Sequence, residues 1–458
     1  MSRRANTKDK SAKAPAEEKQ EKPGFAARKV SADILGNVVH KKRPLDGELD
    51  VASGHSGFRA LAGNDRALVR AIVGAALRHR GEILEILERL LDRPIPEKTG
   101  RVQDILHVAI SQMLYLDIPD RAAVSLAVDH AGLDRRARPY KGLVNGVLRR
   151  LGRERDDITG DLEPDLLNTP DWLMDSWSEA YGAEIARKIS AAHQQEAALD
   201  LTVKTDPAGW AKKLEGQVVA AGSVRLAKKA AVETLEGFED GSWWVQDAAA
   251  ALPARLLGDV QGLNVADLCA APGGKTAQLA AAGAEVTAVD ISKGRLKRLE
   301  ENMTRLGLTV RTVASDLRQF EPEAPFDAVL LDAPCSATGT IRRHPDVPWI
   351  KKPYDIEKLS EIQKELLDRV VDWVRPGGLI VYCTCSLEAA EGEAQADAFI
   401  GRLGDRIAPV PVTPEEVGGL AHLVTNTGYL RCLPCHEAEK TRENTGLDGF
   451  FAARFRRL

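Results

Sequence analysis

Two cysteines stand where a chain could use them for covalent chemistry. Cys335 follows Pro334 in Asp332-Ala333-Pro334-Cys335-Ser336, and Cys385 lies in Cys383-Thr384-Cys385-Ser386. Each run directly follows a short apolar, β-branched segment of the kind that forms a strand, so both thiols fall at strand ends. One thiolate can add to an electron-poor double bond. A second group nearby can remove the proton that must leave before the first sulfur is eliminated. Cytosine is a ring that needs this help: C5 is a poor nucleophile until a thiolate adds at C6 and gives it enamine character. C5 can then attack a methyl sulfonium, after which its proton must go to a base. Cys335 and Cys385 can supply nucleophile and base between them. Cys269 and Cys383 read instead as small buried hydrophobes.

Positioning two loops on one edge requires a sheet. From about residue 246 the pattern repeats strand, loop, helix. Strands are predicted over residues 262–268, 285–290, 309–315, 326–331 and 379–383, with helices from about 275 and over 292–306. This alternation implies a parallel α/β sheet covered on both faces, with ligands at the carboxyl ends of its strands. The first strand runs into Asp267-Leu268-Cys269-Ala270-Ala271-Pro272-Gly273-Gly274-Lys275-Thr276, whose glycines allow a tight turn and close approach of the backbone. Lys275-Thr276 imitates the end of a phosphate loop, but the upstream glycine such a loop needs is replaced by Cys269, so triphosphate binding is discounted. The next strands end in Asp290, Asp316 and Asp332. With Asp267, acids close four successive strand segments, which favours a cationic or hydroxyl-rich ligand. S-adenosylmethionine, with its ribose, ammonium and sulfonium, fits, and Asp290 suits the ribose hydroxyls.

Upstream, residues 57–155 show apolar residues at helical spacing (Leu68, Ile72, Val73, Ala76; Ile105, Leu106, Ala109, Ile110, Met113) and no strand signal, so an all-α domain is expected. His107 lies inside that pattern as a packing residue. The end of this domain is basic, with Arg135, Arg136, Arg138, Lys141, Arg149, Arg150, Arg153 and Arg155, and could meet RNA phosphates. Residues 156–245 read as an α+β connecting subdomain with short strands over 199–203 and 218–226, closed by Trp243 and Trp244 as packing residues. Residues 1–56, rich in Lys, Ala, Glu and Pro, read as a disordered basic tail.

The 458 residues suit two or three domains, and 44% hydrophobic content is enough for real cores. The net charge of −4 announces no nucleic-acid partner by itself, so any RNA contact rests on local basic stretches. No run of ~18 apolar residues marks a membrane span. Six cysteines, all in the C-terminal half, are too sparse for a secreted disulfide scaffold, and a cytoplasmic location is expected. Cys432-Leu433-Pro434-Cys435-His436 has haem-attachment spacing and could be half of a zinc site, yet lacks the second pair a zinc ion needs; no metal is expected.

These motifs together carry a family resemblance. The runs 267–275, 332–336 with 339–346, 384–386 and 447–451 resemble the RNA cytosine-5 methyltransferases of the small-subunit ribosomal RNA methyltransferase B (Sun/Fmu) group. The helical part, through Ala122-Ala123-Val124 and residues 142–150, resembles the antitermination factor NusB. The resemblance covers about residues 57–458 and implies a NusB-like helical domain joined to a Rossmann-like methyltransferase domain. It implies Cys385 as nucleophile, Cys335 as the residue resolving the adduct, and Asp332 between cofactor and base. Cys269, Ala270, Ala271, Pro272, Gly273, Gly274, Lys275, Asp290, Asp316 and Asp332 would bind the cofactor, and 16S ribosomal RNA would be the substrate of a monomer. One departure is Leu201-Thr202-Val203-Lys204, where the family often has Leu-Arg-Val-Asn. Two other readings stay open: a DNA cytosine-5 methyltransferase using Pro334-Cys335, and a non-catalytic ribosome-assembly factor.

Overall fold

The structure, a computed structural model, describes residues 22–96, 98–227, 231–436 and 445–458. Five helices, Gly63–Arg78, Arg80–Leu90, Val102–Tyr115, Asp120–Leu133 and Lys141–Arg153, form the expected helical domain. Their apolar stripes meet in cores built on Ile83, Ile105, Leu106, Ile110, Val144 and Leu148, and on Val69, Ile72 and Val73. His107 is buried among them, its Nδ1 bonded to Gln103 O at 2.9 Å. Burial and the nearby Arg80 charge lower its pKa to about 4, so it packs as a neutral ring.

The disordered tail expected over residues 1–56 is corrected from residue 25 onward; residues 1–21 lie outside the described residues. Phe25–Lys41 is a helix whose Ala27, Ile34, Leu35 and Val38 are buried in the same core as Ile72 and Val73. It is covered on most sides, with even Ser31, Gly36 and Asn37 buried, so it lacks the polar face that makes a helix legible as amphipathic.

The connecting part holds the helices Asp171–Tyr181 and Ala183–His193 and an antiparallel sheet of β1 (Asp200–Val203), β2 (Gly216–Val218), β3 (Val224–Leu226) and β4 (Trp243–Val245). The spatial order is β2-β3-β1-β4. The single strand expected over 218–226 is two strands, because Ala221 and Gly222 turn the chain at φ 59 and 68. Asp200 and Arg225 form a buried bidentate pair at 2.7 Å across β1 and β3. Trp243 and Trp244 are both buried on β4.

The C-terminal part holds β5 (Asn264–Leu268), β6 (Glu285–Asp290), β7 (Arg311–Ala314), β8 (Phe326–Asp332), β9 (Val374–Thr384), β10 (Ile407–Pro409), β11 (Leu430–Cys432) and β12 (Phe450–Arg457). The order is β10-β12-β9-β8-β5-β6-β7. β5 to β9 are parallel, as expected, but β12 joins β9 antiparallel and β10 and β11 join β12. Successive residues face opposite cores, as a sheet covered on both sides requires. Ala266, Val329 and Ile380 meet Leu367 and Val371 of the helix Pro353–Trp373, while Val265, Leu330 and Val381 meet Leu252 and Leu279 on the other face. The order reverses between β5 and β8, so the ligand crevice of such a sheet falls above those two strands.

The helical domain rests on the segment that follows the Cys335 loop. Leu45 N donates to Asp346 Oδ2 at 2.9 Å, Trp349 Nε1 to Leu77 O at 2.8 Å and Arg78 to Arg342 O at 2.9 Å. His344 Nδ1 lies 3.3 Å from Asp46 Oδ2. Because the helix Phe25–Lys41 belongs to this core, Leu35→Ala should cost about 2–5 kcal/mol, the range for emptying a buried leucine site. Denaturant unfolding with an unchanged midpoint would return the segment to the status of a tail.

Candidate active site

β5 delivers the first wall of the site. After Leu268 the chain turns through Cys269 and Gly273, both left-handed at φ 62 and 104, into the helix Gly274–Ala281. A Cβ on Gly273 would stand 2.7 Å from Leu299 Cγ, so this position requires glycine. Ala270 N donates to Val289 O at 3.0 Å, and Ala271 N to Asp290 Oδ2 at 3.2 Å, tying the turn to the end of β6.

Above the switch between β5 and β8 lies a cavity of about 590 Å³. Of the residues singled out from the sequence, Cys269, Ala271, Asp290, Asp316, Asp332, Cys335 and Cys385 line it. Ala270, Pro272, Gly273, Gly274 and Lys275 do not reach its wall. The two glycines shape the turn, and Lys275 reaches past it to Asp332, Nζ to Oδ2 at 2.8 Å, with its ammonium 4.7 Å over the Phe450 ring. Burial works against that charge, but the carboxylates around it, Asp332 foremost, outweigh burial and raise the lysine pKa. Cys383 also donates to Asp332 Oδ1, at 3.6 Å, so Asp332 is held from two sides while remaining partly open to the cavity. Cys383 itself is buried.

Asp290 accepts from Ser292 N at 2.8 Å besides Ala271 N, and Arg295 lies 3.6 Å away. Asp316 is paired with Arg318 at 2.6 Å, and that hydrogen bond holds its pKa down at about 2. Asp267 departs from the expected set: it is fully buried under the turn, accepts from Thr276 Oγ1 at 2.6 Å and does not line the cavity. It precedes the last residue of β5, and its side chain enters the protein interior, not the crevice.

The loops after β8 and β9 bring Cys335 Sγ and Cys385 Sγ to 3.5 Å. The Cys385 sulfur alongside and burial push the Cys335 thiol well above its ordinary pKa. Beneath both loops lies a polar network the sequence did not announce. Ser336 N donates to Glu391 Oε1 at 3.0 Å, Ser336 and Ser386 hydroxyls meet at 3.0 Å, and Gln363 Nε2 donates to Pro334 O at 2.9 Å. Ile291, Leu317, Ile362 and Leu366 add apolar wall to the cavity. Ile291 and Leu317 each follow a strand-end aspartate, a signal that could have singled them out.

The remaining motifs are structural. Arg343, partly buried, bridges the buried Asp247 at 2.5 Å and Asp448 at 2.8 Å. Gly339 and Gly449 are in backbone contact, Gly449 N donating to Gly339 O at 2.7 Å, and a Cβ on Gly339 would meet Gly449 O at 2.1 Å. Lys204, at the departure from the family pattern, donates its ammonium to Leu306 O, the last residue of the helix Lys293–Leu306, where a cation is favoured. Cys432 is buried on β11, and His436 Nδ1 accepts from Leu433 N at 3.2 Å.

A sheet parallel over β5 to β9, covered on both faces and with an acid-lined crevice at its switch point, has the Rossmann-like architecture of a methyltransferase. Comparison with known proteins makes this specific. The family model for 16S rRNA methyltransferase RsmB/F matches residues 254–456, and the NusB family matches residues 26–153. The chain is 34% identical over 408 residues to the ribosomal RNA small subunit methyltransferase B of Salmonella arizonae, covering 85% of this chain and 94% of that protein. The Salmonella typhi protein of the same name is 36% identical over the same coverage. The crystal structure of PH0851 shares the fold, with a TM-score of 0.71 at 23% identity over 96% of this chain and 100% of that one. A methyltransferase homolog protein from Pyrococcus horikoshii has a TM-score of 0.51 at 26% identity, over 68% of this chain and 98% of that one. The chain belongs to the 16S rRNA methyltransferase RsmB/F family, and the resemblance to the Sun/Fmu group holds.

The burial of Asp267 has a consequence for pH. Burial, opposed by the Thr276 hydroxyl, raises its pKa to about 7, above its unfolded value. A carboxyl with a raised folded pKa contributes stability at low pH and loses it as pH rises through about 7. Asp267→Asn keeps an acceptor for Thr276 without the charge. Between pH 6 and 8 the wild type should lose roughly 1 kcal/mol more stability than Asp267→Asn. Denaturant melts at the two pH values check this; equal losses would show that Asp267 is ionised throughout.

Proposed function

We propose that the chain transfers a methyl group from S-adenosylmethionine to C5 of a cytidine in small-subunit ribosomal RNA. In this reading Cys385 is the nucleophile and Cys335 the base that resolves the covalent adduct. The observation that carries it is the 3.5 Å contact between the two sulfurs on the wall of one cavity.

The cavity fits the methyl donor by the chemistry of its wall. About 590 Å³ is in the range of small-molecule sites. Asp290 and Asp332 offer carboxylates to hydroxyls and to positive charge, and each of their oxygens keeps lone-pair capacity beyond its present bond, whereas both Asp316 oxygens are taken up by Arg318, which a ligand hydroxyl would have to displace. Ile291 and Leu317 offer apolar surface to an adenine ring. Asp290 would face the ribose, and Asp332, held by Lys275 and Cys383, would hydrogen-bond the cytosine edge. When bound, the donor supplies a methyl on an electron-poor sulfur.

Cys385, its S–H proton released to solvent, adds to C6 as a thiolate, forming an S–C bond and pushing the ring electrons towards C5. C5 takes the methyl, and the methyl–sulfur bond breaks. Cys335 then takes the C5 proton, the C6–S bond breaks and the ring double bond reforms. The raised pKa of Cys335 suits this order. Once the Cys385 sulfur is bonded to carbon, it no longer opposes ionisation of its neighbour, and Cys335 can become a base. Both thiols and the cavity wall come from one chain, which supports a monomer as the working unit. Among the described residues no helix is long and apolar enough to cross a membrane. A ribosomal RNA substrate supports a cytoplasmic location.

The basic stretch at the end of the helical domain would bind RNA phosphates. Arg150 and Arg153 share Glu154, at 2.8 and 3.8 Å, Arg155 pairs with Asp120 at 2.9 Å and Arg138 Nε donates to Gly132 O at 2.9 Å, leaving exposed Arg135, Arg136, Lys141 and Arg149 as its working part. Replacing these four together should weaken RNA binding and flatten its salt dependence, with cofactor affinity unchanged. An unaltered salt slope would make them a solvated face.

The roles of the thiols separate by how each variant fails. Cys385→Ala should form no covalent RNA adduct and transfer no methyl. Cys335→Ala should attack and methylate but not eliminate, so methylated RNA accumulates as an adduct that survives denaturing gels. An adduct in Cys385→Ala and none in Cys335→Ala would reverse the roles, as in a DNA-type mechanism.

A further inference from the structure

Glu391 is a buried acid in the short turn Ala389–Glu391, with no exposed surface. A carboxylate in such a place is unfavourable to bury, and burial indeed pushes its pKa up. What it gains is a set of bonds that all fall beside the reactive cysteines. Its carboxylate accepts from Ser336 N at 3.0 and 3.2 Å, from the Ser336 hydroxyl, and from Gln363 Nε2 at 3.1 Å. The same Gln363 nitrogen donates to Pro334 O at 2.9 Å, so the residues on either side of Cys335 are both held. The backbone carbonyl of Glu391 accepts from Tyr382 OH at 2.7 Å and from Thr384 Oγ1 at 3.2 Å, on the strand leading into Cys385.

One residue therefore grips the Cys335 loop by its side chain, which also meets the Ser386 hydroxyl, and the Cys385 strand by its main chain. We propose that Glu391 is a positioning residue that holds Cys335 over the covalent adduct, so that the C5 proton is removed on time. The proposal rests on the roles assigned above to the two thiols. Cys385 is carried by the end of β9 and by Gly339 N donating to its carbonyl at 3.0 Å, contacts that do not involve the Glu391 carboxylate. Loss of that carboxylate should therefore spare attack and methyl transfer and impair elimination.

The test uses the full chain, deproteinised 16S ribosomal RNA and S-adenosylmethionine with a labelled methyl. Glu391→Ala, Glu391→Gln, Ser336→Ala and Cys335→Ala are run together. Glu391→Ala and Ser336→Ala should bind S-adenosylmethionine as the wild type does. Glu391→Ala should show kcat lowered with KM little changed, and methylated protein–RNA adduct on denaturing gels raised roughly tenfold; Ser336→Ala, which loses only the hydroxyl bond and keeps the backbone bond to Glu391, should show a smaller change of the same kind. Glu391→Gln keeps an acceptor for Ser336 N and should restore most turnover. A merely structural role would lower stability and all activities together without enriching the adduct. If Glu391→Ala does not fold by circular dichroism, Ser336→Ala decides. Release of methylated RNA at the wild-type rate, or loss of attack with no adduct, in the variants that fold overturns the proposal. An adduct in Cys335→Ala alone leaves the thiol roles standing and removes Glu391. No adduct in Cys335→Ala removes the thiol roles, and the proposal with them.

Discussion

The parallel ladder between β8 and β9 sets the 3.5 Å distance between the Cys335 and Cys385 sulfurs. Asp332 is level with Cys383 in that ladder, and Ala333 N extends it by donating to Cys383 O at 3.0 Å. Cys335 then lies three residues past the end of β8 and Cys385 one past the end of β9. A slip of one residue would turn every side chain of β9 to the opposite face, separating the sulfurs and exposing the core. The register is not regular from the start: Phe326 pairs with Val374, but Ala328 pairs with Leu379, and the extra residues on β9 bulge out at Arg375 to Gly378. Gly377 takes φ 80 in that bulge. The alignment that serves the site is thus reset after the bulge and held by Val329, Leu331, Ile380 and Tyr382 in one core.

The segment that follows Cys335 converts this local geometry into a whole molecule. Gly339 touches Gly449 before β12, and Arg343 sits between Asp247, near the connecting sheet, and Asp448. His344, Asp346 and Trp349 receive the helical domain. An ion group such as Arg343 with two buried aspartates adds little net stability, since desolvation of the carboxylates offsets much of the attraction. Its use is geometric, because each partner must be in place for the charges to be tolerated. The connecting helix Asp171–Tyr181 does the same for the other loop, with Trp177 Nε1 donating to Glu388 at 3.0 Å and Tyr181 OH to Leu387 O. An RNA held by the helical domain would therefore meet thiols whose loops are braced from several directions.

The glycine-rich turn after β5, the aspartates at or just past the ends of β6 to β8, the two strand-end cysteines and the helical domain were legible in the sequence. Each is a local signal: alternation within a strand, periodicity within a helix, or glycine at a turn that excludes a side chain. The motif residues 339–346 and 447–451 were also visible as motifs. That they touch one another, with Gly339 against Gly449 and Arg343 against Asp448, was not.

Only the tertiary structure decided the rest, and in each case the missing information was a partner distant in sequence. The helix Phe25–Lys41 is covered by neighbours on most sides, so it shows no stripe. β10, β11 and β12 are strands by pairing with one another and with β9. Asp267 and Asp290 both lie at strand ends, yet one is sealed under the turn and the other lines the cavity. In Leu387-Glu388-Ala389-Ala390-Glu391-Gly392-Glu393 the three acids look alike, and Glu391 becomes the hub of the site only because two strand-end loops close over it. Short-range pattern determines which element a residue joins; which surface that element presents, and to whom, is set by long-range packing that no local window contains.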